Sequence, residues 1–188
     1  MFTGIIGLLQ KCLIMHITKM VEKKIVVYDL RLSYNGPLSI EDFYKEVEDW
    51  IKEKGMEKEI KKKMEHLTPK GKEIEWTVEC WKKLAEFYKD VVRLRALFHN
   101  VKEVDTVKDG KKMRINHANV LLIFDGVLET HLSQRWEQKP LFYFIRALFD
   151  KYIYKFHTEK YFDVVYADTH DLHKRLKAFF SLYKYKVV

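Results

Sequence analysis

The densest group of side chains able to do chemistry is Asp168, His170, Asp171 and His173. His170 and His173 are three residues apart, so on a helix they are neighbours. Two imidazoles and a carboxylate could begin a zinc site, which needs four donors or three and a water. No HExxH pattern accompanies them, and a solvated helix face accounts for the same spacing, so no metal is expected. Asp125, Glu129 and His131 share one parity along an apolar run. On a strand they would lie on one face, where a carboxylate and an imidazole could exchange a proton. Exposed polarity on the outer face of a strand gives the same pattern. His66 and His117 each continue an otherwise apolar row, where a single polar group could orient a ligand or bond to backbone at the sheet rim.

Other chemistries lack their residues. No GxxxxGK[ST], GxGxxG or GxSxG pattern occurs, and seven glycines in 188 residues leave little for a phosphate-cradling loop. Cys12 and Cys80 are the only cysteines. Two cannot complete a zinc site or build a disulfide framework, which suits a reducing cytoplasm. No cofactor is expected, and no nucleophile–base pair argues for an enzyme. The apolar run at 4–9 is interrupted by Gln10 and Lys11, too short to span a bilayer.

The elements that must position these residues follow from periodicity. Val26, Tyr28, Leu30, Leu32 and Tyr34 alternate with Val27, Asp29, Arg31 and Ser33, the mark of a half-buried strand. Ser39 then caps a helix whose apolar positions are Ile40, Phe43, Tyr44, Val47, Trp50 and Ile51, and Gly55 ends it. Period two returns with Ile60, Met64 and His66 on one side of a strand. Thr68-Pro69-Lys70-Gly71 makes a turn. Ile74, Trp76, Val78, Cys80 and Lys82 form the next inward row. Val92, Leu94, Ala96 and Phe98 follow, then strands over 101–107 and from Met113 to His117, joined by the hairpin signal Lys108-Asp109-Gly110-Lys111. The run 120–131 is the most hydrophobic strand. Beyond Pro140 the period changes to helical: Leu141, Phe144, Ile145, Leu148, Phe149, Tyr152 and Ile153 form one stripe. Phe162, Val165, Thr169, Leu172, Leu176, Phe179 and Tyr183 form a second.

The expected architecture is α+β: a curved antiparallel sheet of about six or seven strands, one helix after the first strand, and a long C-terminal helical segment packed on the sheet. Residues 1–19 read as an N-terminal extension and 20–188 as a single domain. Over about residues 24–184 this order of elements resembles the helix-grip superfamily, the START and Bet v 1-like folds. The resemblance lies in element order, with no motif match and one helix where those families put two. It implies a sheet wrapped around a C-terminal helix, with a cavity between them that often holds an apolar ligand.

Aromatic content fits that expectation, with 12 Phe, 11 Tyr and 4 Trp. Tyr28, Trp76, Phe124 and Phe149 are candidate apolar walls, with His66 and His117 as polar anchors, although plain core packing uses the same residues. The expected function is therefore binding of a hydrophobic or amphipathic small molecule between sheet and C-terminal helix. The alternative is a basic module for nucleic acid or an acidic partner, using Lys61, Lys62 and Lys63 or Lys174, Arg175 and Lys177. The net charge of +8 invites that alternative, but 33% of residues are charged and most cations alternate with glutamates. Abundant Lys and Glu with few amides is the composition of heat-adapted proteins.

Overall fold

The computed structural model describes residues 21–69, 71–108, 111–131 and 154–186. Among these residues five strands and two helices follow in the order β1 (Val21–Leu38), α1 (Ile40–Glu53), β2 (Glu57–Thr68), β3 (Gly71–Lys83), β4 (Tyr88–Lys108), β5 (Lys111–His131) and α2 (Tyr154–Lys186). All strand pairs are antiparallel, in the sheet order β1-β5-β4-β3-β2. The sheet is open, curved, and five-stranded rather than six or seven. The difference has one cause. The segments either side of Asn100 belong to one strand, β4, and the segments either side of Ala118 belong to another, β5.

Bulges explain both the curvature and the broken alternation. Two register shifts interrupt the β1–β5 pairing between Ile25 and Leu30, one interrupts β2 between Ile60 and Lys62, and one lies in β4 between His99 and Lys102. Each adds a residue to its strand and bends it. Asp29 (φ 53°) and Asn100 (φ 54°) hold the left-handed conformation at two of them. Asp and Asn are the non-glycine residues that tolerate it best.

Both helices cover one face of the sheet. α1 begins where Ser39 Oγ accepts the N–H of Asp42 at 3.1 Å. It ends with Gly55 at φ 61°, whose N–H donates to Lys52 O, while Met56 N–H donates to Ile51 O. That pair of bonds is the Schellman arrangement, and Gly55 supplies the left-handed residue it requires. α2 lies over β1, β5 and β4, with α1 beside it. The second helical stripe is the face it buries: Val165, Thr169, Leu172 and Leu176 have no exposure, and Phe179 is buried.

The two ends of this sheet–helix layer differ. One end is aromatic: Phe43, Trp50, Trp76, Phe98, Phe179 and Phe180 are buried, and Phe43 contacts the rings of Trp76, Phe98, Phe179 and Phe180 with centroids 5.3–6.3 Å apart. Each such ring contributes roughly 1.5–3 kcal/mol by leaving water. The other end is lined by smaller and more polar residues, Asp90, Val92, Gly126, Leu128 and Thr130, beneath Val165 and Thr169.

At Gly126 the helix comes close. A Cβ there would lie 2.4 Å from Thr169 Oγ1 and 3.2 Å from Val165 Cγ1. Gly126→Ala is therefore expected to destabilise the fold by about 1–3 kcal/mol through overpacking. Adding Thr169→Ala should recover part of that loss. Urea unfolding of the two single variants and the double variant measures the coupling; strict additivity would refute the close approach.

Candidate functional site

The inward row of β3 ends at Lys82 and the inward row of β4 begins at Asp90, and the two are register partners. α2 lays Asp168 over them, and Lys54 arrives from the C-cap of α1. The result is a run of alternating charge at the junction of β3, β4, α1 and α2. Lys82 Nζ is hydrogen-bonded to Asp168 Oδ2 and lies 3.8 Å from Asp90 Oδ2. Lys54 Nζ bridges Asp168 at 3.2 Å and Asp171 at 2.9 Å. Asp171 also accepts Trp50 Nε1–H at 3.0 Å. The run grades from core to solvent: Asp90 has no exposure, Asp168 is buried, and half of the Asp171 side chain is exposed.

Asp90 is the group out of balance. Neither carboxylate oxygen accepts a hydrogen bond from an N–H or O–H of the described residues, but Lys82 lies at ion-pair distance and Asp168 is close enough to share a hydrogen-bonded proton. Burial, and then the neighbouring Asp168, push its pKa up to about 7. Burial also raises Asp168, but the contacts with Lys82 outweigh it, and Asp168 stays below the usual carboxylate range. Asp171 is held low by Lys54, with Trp50 adding to the effect. One proton between Asp90 and Asp168, carried mainly on Asp90, is what the pair can hold near neutral pH. A buried acid poised there is the kind of group that functional sites contain.

The other expected site residues are dispersed. Trp76 and Phe124 point inward and are buried. Tyr28 is 76% exposed, because the bulges between Ile25 and Leu30 turn it out while Val27 takes the buried position. His66 is exposed. The bulge at Ile60–Lys62 reverses the parity of β2 beyond it, so His66 lies opposite Glu73 while Lys63 lies opposite buried Trp76. His117 is exposed too, since the continuous β5 turns Ala118, Val120, Leu122 and Phe124 inward and leaves 117 on the opposite parity. Phe149, the whole stripe from Leu141 to Ile153, and residues 1–19 lie outside the described residues.

The polar groupings of the sequence also separate. Asp168 and Asp171 belong to the charge run, whereas His170 packs on the Tyr166 ring at 4.1 Å and His173 meets Phe124 edge-on at 5.4 Å. Burial, then His170, lowers the His173 pKa. Among the described residues no three His, Cys, Asp or Glu side chains converge as metal ligands. On the outer face Asp125 accepts the Asp29 N–H at 3.0 Å and meets Arg95 at 3.3 Å, and Glu129 sits between Lys23 and Lys89. These are ion pairs that fill the face.

Of the basic candidates, Lys61 is paired with Glu59 and Glu79, and Lys62 with Glu75. Lys63 lies over the Tyr44 ring, with Nζ 5.5 Å from its centroid. Arg175 clamps Glu46 and Glu53 of α1, both at 2.5 Å. Lys174 and Lys177 are exposed.

Asp90 and Lys54 escaped the sequence reading, though a signal existed. Extending the row Val92, Leu94, Ala96, Phe98 by one step toward the N-terminus reaches Asp90, as extending Ile74 to Cys80 reaches Lys82.

No family model, no curated protein and no solved structure matches the chain. Among the described residues no helix is long and apolar enough to cross a membrane. The long antiparallel sheet packed against a C-terminal helix is compatible with the helix-grip arrangement.

The Asp90 pKa has a consequence for stability. The folded state keeps its proton to about pH 7, whereas the unfolded chain releases it near the ordinary aspartate value of 3.8. Between those values the native state binds more protons, so Asp90 makes stability fall as pH rises through that window, by up to about 1.4 kcal/mol per pH unit. Asp90→Asn, which keeps the shape without the charge, should be more stable than the wild type at pH 8, with the difference shrinking toward pH 5. Denaturant unfolding across that range measures it; a constant difference would refute the assignment.

Proposed function

We propose that the chain is a helix-grip-type binding domain that takes an amphipathic small molecule between the sheet and α2, at the polar end of that layer. The observation that carries this reading is Asp90: completely buried on the inner face, with neither oxygen accepting a hydrogen bond among the described residues and with Lys82, at 3.8 Å, and Asp168 beside it. Leaving a buried acceptor unsatisfied costs on the order of 1–3 kcal/mol. A ligand group that donates to it offsets that cost, which is how a mostly apolar site gains specificity.

The contrast between the two ends supports the same location. At the aromatic end, rings fill the layer against one another. At the polar end the lining is Val92, Leu128, Gly126, Thr130 and Val165, small or aliphatic groups beside one acid. In this reading the apolar body enters only where α2 lifts from β5, since Val165 and Thr169 already lie against Gly126; Leu128 and Val92 then contact it, and Asp90 replaces His66 and His117 as the polar anchor. Trp76 and Phe124 support the wall from the packed side. Scarce cysteine favours a cytoplasmic setting, and the Lys/Glu-rich, amide-poor composition favours a heat-adapted one.

The nucleic-acid alternative rests on fewer residues than the charge sum suggests. Lys61, Lys62 and Arg175 already have carboxylate partners, which leaves Lys63, Lys174 and Lys177 as its candidates.

Native mass spectrometry on the purified chain, together with titration by an environment-sensitive amphiphilic fluorophore, tests the reading. Saturable binding at one molecule per chain is expected, abolished by Leu128→Arg in a variant that remains folded by circular dichroism. Absence of saturable uptake up to about 1 mM, the weak end of specific affinity, would reject it. Salt-sensitive binding to RNA or DNA in place of amphiphile binding would favour the alternative.

A further inference from the structure

We infer that the outer edge of β2 is a self-association surface, on which a second copy of this chain continues the sheet through an antiparallel β2–β2 pair. The inference is independent of the binding reading above. β2 stands at one end of the sheet order, and β3 is its one strand partner among the described residues. It runs for 12 residues, all exposed except the last, Thr68. Ile60, Met64 and Leu67 share that exposure, Leu67 to 89%. A long edge strand with open backbone groups and exposed apolar side chains is a template for one more strand. The opposite edge is guarded: β1 is kinked by two bulges and carries Pro37.

Lysines on an edge ordinarily discourage such pairing, and β2 has Lys58, Lys61, Lys62 and Lys63. Three of them are neutralised within their own chain. Lys58 is bonded to Glu48 of α1, Lys61 lies 2.6 Å from Glu59 and 3.2 Å from Glu79, and Lys62 lies 2.6 Å from Glu75. Lys63 lies over the Tyr44 ring, and Glu65, two residues on along the same face, pairs with Lys72 at 2.5 Å.

Faces and charge select the register. A dyad perpendicular to the sheet sets inner residues opposite inner ones, as an isologous contact requires. Opposite the inward row of β3 stand Lys58, Ile60, Lys63, Glu65 and Leu67; Lys62, Met64 and His66 stand on the outer face, the bulge at Ile60–Lys62 changing the parity between them. With Met64 on the dyad, Lys63 of each copy faces Glu65 of the other. Across the bulge, Ile60 faces Leu67. An opposite-charge pair and an apolar pair therefore each form twice, and such cross-strand pairs stabilise a sheet. Moving the dyad by one residue sets Lys63 against Lys63 or Glu65 against Glu65. The strand is thus complementary to itself in one register. The product is a continuous sheet of ten strands, five from each copy.

Sedimentation equilibrium of the full chain from about 1 μM to about 1 mM tests the inference, and a monomer–dimer equilibrium within that range is expected. Lys63→Glu and Glu65→Lys should each weaken it about tenfold or more, because like charges then meet twice. The two changes combined in one chain exchange the signs and should restore the wild-type dissociation constant to within about threefold. Circular dichroism and urea unfolding identify the variants that remain folded. Met64→Cys, in a Cys12→Ser chain whose other thiol is the buried Cys80, should form a disulfide-linked dimer under mild oxidation. His66→Cys in the same chain should not, since position 64 is the one that meets its own copy. A chain that stays monomeric to about 1 mM would overturn the inference. So would a dimer whose affinity the folded charge-exchanged chain fails to recover, or one that cross-links as readily through position 66 as through 64.

Discussion

The depth at which α2 lies on the sheet is set at Gly126, and most of the site depends on that depth. With hydrogen in place of a Cβ, β5 lets Thr169 and Val165 approach to contact. Asp168 precedes Thr169 by one residue, so the same approach brings its carboxylate down to Lys82 and Asp90. Thr169 Oγ1 turns back to donate to Val165 O at 2.8 Å, which satisfies the hydroxyl without a partner on the sheet. One turn of α2, Val165 to Thr169, thereby lies directly on β5, and the leucines beyond, Leu172 and Leu176, continue the same contact line into the aromatic end.

How much of this was legible in the sequence depends on whether a bulge intervened. Where a strand keeps one phase, alternation identified the buried side: Ile74, Trp76, Val78 and Cys80 on β3, and Val92 to Phe98 on β4, are all buried. Helical spacing identified the buried face of α2 equally well. Tyr28 and His66 lie at or beyond a bulge, and there the parity reverses, since one added residue exchanges the two faces. His117 failed for a related reason. A strand read as two pieces was allowed two phases, whereas the continuous β5 permits one. The bulges had a chemical trace, because Asp29 and Asn100 are polar residues tolerant of left-handed backbone within apolar runs. Register shifts without such a residue, as at Ile60–Lys62, leave no local mark, because they are decided by pairing with a distant strand.

Charge is organised differently on the two faces of the sheet. Outside, opposite charges pair across strands, Arg93 with Glu79, Lys61 with Glu79 and Arg95 with Asp125, and along β2, Lys61 with Glu59. Such pairs sit in water, where each is worth little alone and a network keeps its value better as temperature rises. The net positive charge is accordingly spread over a lattice that also holds many carboxylates, and it describes the surface more than it describes a partner.

Inside, the same arithmetic has a different weight. A carboxylate at Asp90 without a donor could be exchanged for an aliphatic side chain continuing the row of Val92 and Leu94, and burial alone would favour the exchange. Lys82 accounts for it only in part, because Lys82 is hydrogen-bonded to Asp168 and pairs with Asp90 at 3.8 Å. Nor does the pairing of α1 with α2, which Lys54, Asp171, Trp50 and Arg175 secure without it. The structural roles around Asp90 are thus filled by its neighbours. What remains for the carboxyl is holding a proton near neutral pH, shared with Asp168 in a low-dielectric place.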